Sequence, residues 1–460
     1  MSADDVRAPL ESLLSAALRA VEGERLTRAA LSRSGDRLEI AGRPVPARAR
    51  LVVAAIGKAA AAMATGFEQV AGARIDRGLV VTKDGHAQAT WAAGSLPATR
   101  WTVRESGHPV PDARSEAAAR ELLSLAASTH PEDTLVVLLS GGASALLGCP
   151  LPGLALQDLI GATRVLLASG AAIDEVNTVR KHLADVAGGR LARAAGAGRI
   201  EVLIVSDVPG DRLDVIGSGP CVPDSTRYAD ALEILARRGL RGRFPARAFA
   251  ALEAGAAGRR PESPKPGEPA FERVRTSVLA SNATALSAAR EEAIRHGWLP
   301  LLLPATLRGE AREVGRRLAA LALALRPAVP VVLLGGGETT VTVRGAGRGG
   351  RNQELALAAA CVLDGTERIA LLAAGTDGSD GPTDAAGAFV DGGTWARARA
   401  RGLDADQALA ENDAYPFFAG EGGLIRTGPT GTNVMDLVAV WIASAPEVSN
   451  HPVPKPSESV

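Results

Sequence analysis

Residues 335–354 read Gly-Gly-Gly-Glu-Thr-Thr-Val-Thr-Val-Arg-Gly-Ala-Gly-Arg-Gly-Gly-Arg-Asn-Gln-Glu. An apolar run, Pro330-Val-Val-Leu-Leu, leads into Gly335, Gly336, Gly337 and Glu338. Glycines behind a strand let backbone N–H groups approach an anion closely. The arginines Arg344, Arg348 and Arg351 have the planar fork that recognises phosphate or carboxylate. A helix-like run opens after Arg351 and would add the positive end of its dipole. The segment predicts a site for a small anion. The alternative is a tight turn with a solvated basic loop.

Other apolar runs end in chemistry-bearing residues. Leu51-Val-Val-Ala-Ala-Ile stops at Gly57-Lys58, where an ammonium can stand over a phosphate or remain a solvated helix-start lysine. GxxxxGK[ST] is absent, so this is no Walker loop. Leu135-Val-Val-Leu-Leu ends at Ser140-Gly141-Gly142-Ala-Ser144, an anion cradle or a plain strand–helix turn. Glu201-Val-Leu-Ile-Val-Ser ends at Asp207, placed to act as general base, Mg²⁺ ligand or turn former. Asn177 and Lys181 are four residues apart, on one face of a helix. His108 stands alone in Ser-Gly-His-Pro-Val-Pro, and no histidine pair has metal-ligand spacing. The polar loops around Asp377 and Asn433 fit a hydroxylated, phosphorylated ligand. Asp377, Asp380 and Asp384 lack the spacing of a calcium loop.

These residues need a frame. Short unbroken apolar runs alternate with alanine-rich helical stretches, which indicates an α/β protein with a parallel sheet covered on both faces. Ligands of such sheets bind beyond the carboxyl ends of the strands, where the residues above stand. Val6–Val21 has helical spacing. Residues 255–270 are rich in Pro and Gly and read as a linker or surface loop. The expected division is an N-terminal α/β domain over 1–254, a C-terminal α/β domain over 271–446 and a disordered tail over 447–460. A second strand series is expected to open at Ser277. The alternation of Thr340–Val343 predicts an antiparallel strand that makes the second sheet mixed.

Composition excludes several partners. Lys+Arg and Asp+Glu number 51 each and aromatic residues make up 3%, against nucleic acid as a partner. Cys149, Cys221 and Cys361 form no CxxC and read as buried thiols of a reducing compartment. The acidic start does not read as a signal peptide. The apolar stretch Leu318–Leu334 is broken by Arg326, Pro327 and Pro330, so no membrane span is expected. The chain is expected to be cytoplasmic.

Taken together and in order, these motifs resemble the glycerate 2-kinase family, in which a DUF4147 domain precedes a MOFRL module. The matching segments are Gly57-Lys58-Ala, Ser106–Asp112, Ser140–Ser144, Asn177–Lys181, Ser206–Asp211, Gly217–Pro220, Gly335–Glu338, Gly350–Glu354, Gly375–Gly381 and Thr427–Asn433. The resemblance implies a Rossmann-like three-layer first domain and an active site in the cleft between domains. It implies ATP and Mg²⁺ as cofactors, and transfer of the γ-phosphoryl group to the 2-hydroxyl of D-glycerate. Lys58 and Arg351 match the residues regarded as central to catalysis. Asp207 is expected to receive the hydroxyl proton. Asp207 and Glu338 are the expected metal ligands. His108, Ser140, Gly141, Gly142, Ser144, Asn177, Lys181, Gly335, Gly336, Gly337, Glu338, Asp377 and Asn433 are the expected substrate and ATP contacts. Two other readings stand beside it. A nicotinamide-dependent hydroxypyruvate reductase requires GxGxxG, which neither glycine cluster supplies. A non-enzymatic binding protein would also close over a small anion. The oligomeric state stays open, a homodimer included.

Overall fold

Along strand Leu51–Ile56, Val53 and Ala55 face one core while Val52, Ala54 and Ile56 face another. That period of two places an apolar layer on each side of a sheet. Helix Ala60–Ala71 covers one side through Met63, Ala64 and Phe67, and helix Ala113–Ala127 covers the other through Ala118, Ala119 and Leu122. The computed structural model describes residues 4–91 and 96–445. The expected tail at 447–460 lies outside them.

The first sheet has six strands, all parallel. Their order is Trp101–Ser106, Ile75–Lys83, Leu51–Ile56, Thr134–Ser140, Arg199–Val205 and Val274–Ala280. The second is mixed: Leu299–Leu302, Val331–Gly337, Asp436–Ile442, Ile369–Gly375, Gly387–Asp391 and Leu424–Ile425. Only its first pair is parallel. Helices Arg7–Ala20 and Asn282–Arg295 belong to a core that takes side chains from both sheets, Val53 and Leu203 from the first, Leu334 and Leu372 from the second. One shared core holds the two lobes together.

Three expectations are corrected. The strand around Ser277 does not open the second series; it pairs in parallel with Arg199–Val205 and completes the first sheet. The Pro/Gly-rich segment at 255–270 therefore lies inside the first lobe. Its Ser263 is buried and donates to Asp224 at 2.8 Å, so the segment is pinned and separates no sheets. Thr340–Val343 forms no strand. Thr340 makes a single bridge to Glu310, whose carboxylate also accepts from the Thr342 N–H and hydroxyl. The second sheet is mixed for another reason: Asp436–Ile442 runs antiparallel between two neighbours.

Candidate active site

The carboxyl ends of the first sheet's strands face the second lobe. After Ile56 the chain turns at Gly57 with φ 120°, where a Cβ would stand 2.2 Å from Ser140 Oγ. Only glycine fits such a turn. The Ser140 hydroxyl accepts the Ala59 N–H at 3.0 Å, and the Lys58 N–H donates to Gly141 O at 2.9 Å. The two strand ends thereby lock the start of helix Ala60–Ala71. Lys58 projects across the cleft and its Nζ meets Asp377 Oδ2 at 2.7 Å. Burial opposes ionisation of Asp377, but the Lys58 ammonium prevails and holds its carboxyl below the ordinary value.

A second bridge runs beside the first. Asn433 Nδ2 donates to Asp207 Oδ2 at 3.1 Å. Gly141 makes room for it, because a Cβ there would lie 1.9 Å from Asp207 Oδ2. Burial, reinforced by the negative charge of Glu338, pushes the Asp207 carboxyl up to about 6. His108 borders the same turn: a Cβ on Gly142 would stand 3.3 Å from its ring and from Lys58 Cγ. Burial and the nearby Lys58 and Lys83 ammoniums push His108 down to about 3, so its imidazole is neutral at physiological pH.

On the opposite wall, Arg351 opens helix Arg351–Leu363. Its Nε and Nη2 donate to the two oxygens of Asp436 at 2.6 and 2.9 Å, and Nη1 lies 2.9 Å from Glu338 Oε1. Burial disfavours its charge, yet the Asp436 carboxylate raises the guanidinium above its ordinary value and keeps it protonated. The helix start is capped from a distance: Asp380 accepts the N–H groups of Asn352 and Gln353 at 3.1 and 2.8 Å.

Other expected residues have different duties. Gly335, Gly336 and Gly337 lie within a strand, paired with Val438, Leu437 and Asp436, and form no loop around an anion. They are small because Leu303, Asn282 and Leu307 press against them. Of the three arginines, only Arg351 joins the cleft cluster. Arg348 stacks on the Tyr415 ring at 4.5 Å, and the Arg344 backbone N–H donates to Asn412. Ser144 and Asn177 meet through Ser218, whose hydroxyl lies 2.8 Å from Ser144 Oγ and 3.2 Å from Asn177 Oδ1. Lys181 is buried, 3.5 Å from Asp214 and 3.6 Å from Asp224. Neither the Ser144–Ser218–Asn177 group nor the Lys181 ion pairs share a partner with Lys58 or Arg351.

Sequence reasoning missed Lys83, His86 and Asp436. Lys83 ends strand Ile75–Lys83 and its ammonium acts on Lys58's surroundings; the rule that ligands gather at strand ends would have found it. His86 Nδ1 lies 3.2 Å from Lys58 O. Asp436 begins its strand. Because that strand is antiparallel, its amino end stands beside the carboxyl ends Gly337 and Gly375.

The fold and the site together define a two-lobed α/β protein with a charged cleft in which Lys58, Arg351, Asp207, Glu338 and Asp377 act on one another. The chain matches the family described as Domain of unknown function (DUF4147) over residues 9–253 and the MOFRL family over residues 331–436. A D-glycerate 2-kinase of Thermotoga maritima is 42% identical over 85% of this chain and 90% of its own. An Agrobacterium vitis protein, provisionally named a hydroxypyruvate reductase, is 44% identical over 87% of this chain and 89% of its own. The crystal structure of a glycerate kinase from Thermotoga maritima superposes with a TM-score of 0.77 at 37% identity, covering 96% of this chain and 100% of that one. The chain belongs to the glycerate kinase family that joins a DUF4147 domain to a MOFRL domain.

Proposed function

We propose that the protein is a glycerate 2-kinase, transferring the γ-phosphoryl group of ATP to the 2-hydroxyl of D-glycerate to give 2-phospho-D-glycerate and ADP. The observation that carries this reading is the convergence of Lys58 and Arg351 with three carboxylates in one interlobe cleft of a glycerate kinase family member. Phosphoryl transfer asks for charge neutralisation and alignment more than for covalent help. Lys58 would exchange Asp377 for a phosphate oxygen of the transferring group. Arg351, oriented by Asp436, would present Nη1 to the substrate anion. Asp207, with its carboxyl near 6, is ionised at neutral pH and basic enough to take the hydroxyl proton.

Among the described residues, no three His, Cys, Asp or Glu side chains form a ready metal cage. Mg²⁺ does not require one, since it binds through one or two carboxylates with substrate phosphates and water. Asp207 and Glu338, whose negative charges act on each other, fit that role. Mg²⁺, when bound, offsets phosphate charge. A cytoplasmic location fits the free cysteines, and among the described residues no helix is long and apolar enough to cross a membrane.

Product identification by ³¹P NMR with ATP, Mg²⁺ and D-glycerate tests the proposal. The 2-phosphoglycerate resonance is expected. The 3-isomer alone would overturn the regiochemistry, and no phosphoglycerate would overturn the kinase. The name of the Agrobacterium relative favours a second reading, which NADH consumption with hydroxypyruvate would reveal.

A further inference from the structure

Beyond strand Arg199–Val205 and Asp207 the chain continues as Val-Pro-Gly-Asp211, and this loop forms one wall of a cavity of about 280 Å³ between the lobes. Facing it are Leu286 on helix Asn282–Arg295 and Leu303 and Pro304 after strand Leu299–Leu302, with Pro209 on the near side. The walls are fixed by Asn282, whose Nδ2 donates to Val434 O at 2.9 Å and Asp436 O at 3.0 Å.

Two features decide what this space can take. First, among the described residues no lysine, arginine or histidine lines it, and its one charged residue is Asp211. An anion such as a carboxylate or phosphate would enter without a counter-charge and against that aspartate. Second, the Asp211 carboxylate makes no hydrogen bond or ion pair among the described residues. Its backbone N–H donates to Val208 O, and the residue, at φ 52°, lines the wall. A carboxylate placed like this accepts a vicinal diol, the chemistry by which acidic residues hold ribose in dinucleotide-binding folds. Leu286, Leu303 and Pro304 beside the polar Ser281, Asn282 and Thr306 suit a flat heterocycle with polar edges joined to a sugar. The cavity is also near the size range of small-molecule sites, roughly 300–1,000 Å³, and a three-carbon acid would leave most of it empty. Asp211 is four residues from Asp207, a reach of at most about 14 Å. Phosphates attached to a nucleoside held here would lead along the loop toward Asp207 and Lys58.

We infer that this interlobe cavity is the nucleoside subsite, with the base against Leu286, Leu303 and Pro304 and the ribose diol on Asp211. The inference rests on the kinase reading and adds to it where the neutral half of the nucleotide goes.

The test is isothermal titration of the whole protein, in Mg²⁺ buffer, with ADP, 2′,3′-dideoxy-ADP and inorganic tripolyphosphate. Asp211→Asn keeps the left-handed backbone, which asparagine tolerates, and removes the charge. Its ADP affinity should fall about tenfold, the loss of a charged hydrogen bond, with tripolyphosphate binding unchanged. The preference of the wild type for ADP over the dideoxy analogue should shrink in the variant, which a merely structural role would not produce. Ala283→Trp, which puts an indole into the cavity, should weaken ADP and spare tripolyphosphate. Unchanged ADP affinity in Asp211→Asn, or equal weakening of ADP and tripolyphosphate, overturns the subsite. A wild-type protein that binds tripolyphosphate but not ADP overturns the subsite and the kinase reading together.

Discussion

Lys58 Nζ and Asp377 Oδ2 stand 2.7 Å apart across the cleft, one at a strand end of the first sheet, the other just past a strand end of the second. The pair keeps an ammonium partly buried and ready to exchange its carboxylate for a phosphate oxygen. Lys58→Ala is expected to lower kcat/KM at least about tenfold, which is ~1.4 kcal/mol of transition-state stabilisation. It also leaves the buried Asp377 without its cation, so urea unfolding should accompany the kinetics. A folded variant with near-normal kinetics would reduce Lys58 to a structural ion pair.

Arg351→Lys keeps the charge and loses the fork. The guanidinium bridges both oxygens of Asp436 while a third nitrogen faces Glu338. An ammonium cannot hold all three directions. Loss of one charge-assisted hydrogen bond, roughly 1.5–3 kcal/mol, corresponds to about ten- to a hundredfold in kcat/KM. Steady-state kinetics with ATP saturating and glycerate varied check this, and wild-type activity in the lysine variant would rule it out.

Much of this cleft was legible in the sequence because parallel strands announce themselves. Unbroken apolar runs ending in Gly57-Lys58, Ser140-Gly141 and Asp207 mark both the sheet and the side on which a ligand must lie. What was not legible depends on pairing. Nothing local tells Val274–Ala280 to join Arg199–Val205 across helices and loops. Thr340–Val343 alternates like a strand, but its partners are the Glu310 and Asn412 side chains and one bridge, with no ladder, and Val343 is 74% exposed. Asp436 escaped notice because an antiparallel strand brings its amino end to the site, and strand direction is a tertiary property. The triple glycine is ambiguous in sequence, because glycine's lack of a side chain serves close packing as well as an anion loop.

Asp380→Ala removes a cap supplied from outside the helix. Its carboxylate receives the Asn352 and Gln353 N–H groups, and Gly350, at the helix boundary, has no side chain to replace it. A lost cap costs about 0.5–2 kcal/mol, which urea unfolding would measure. The loosened first turn carries Arg351, so kcat/KM should fall as well. Asp380→Asn, which retains an acceptor oxygen, should lose less of both. Equal losses in the two variants would show that the charge, and not the cap, is what matters.

Asp207 gives the site its pH dependence. Burial and Glu338 push its carboxyl up to about 6 in the metal-free protein, and a bound Mg²⁺ would lower it, so as the base for the glycerate hydroxyl it should make kcat/KM climb with pH at or below about 6 and level off above. Asp207→Asn should abolish that limb together with most of the activity. The same shift has a stability consequence of defined sign. An unfolded aspartate titrates near about 3.9, so between that value and about 6 the folded protein holds the proton more tightly. The stability this group contributes is full below about pH 4 and is lost as pH rises through about 6. Asparagine is neutral throughout and its carbonyl can still accept the Asn433 amide, which now meets Asp207 Oδ2 at 3.1 Å. Asp207→Asn should therefore gain stability relative to wild type as pH rises from 4 to 7.5, an inactive variant that resists urea better at neutral pH. Urea unfolding of both proteins at the two ends of that range decides it: a difference independent of pH would mean that Asp207 is not held in its protonated form by the fold.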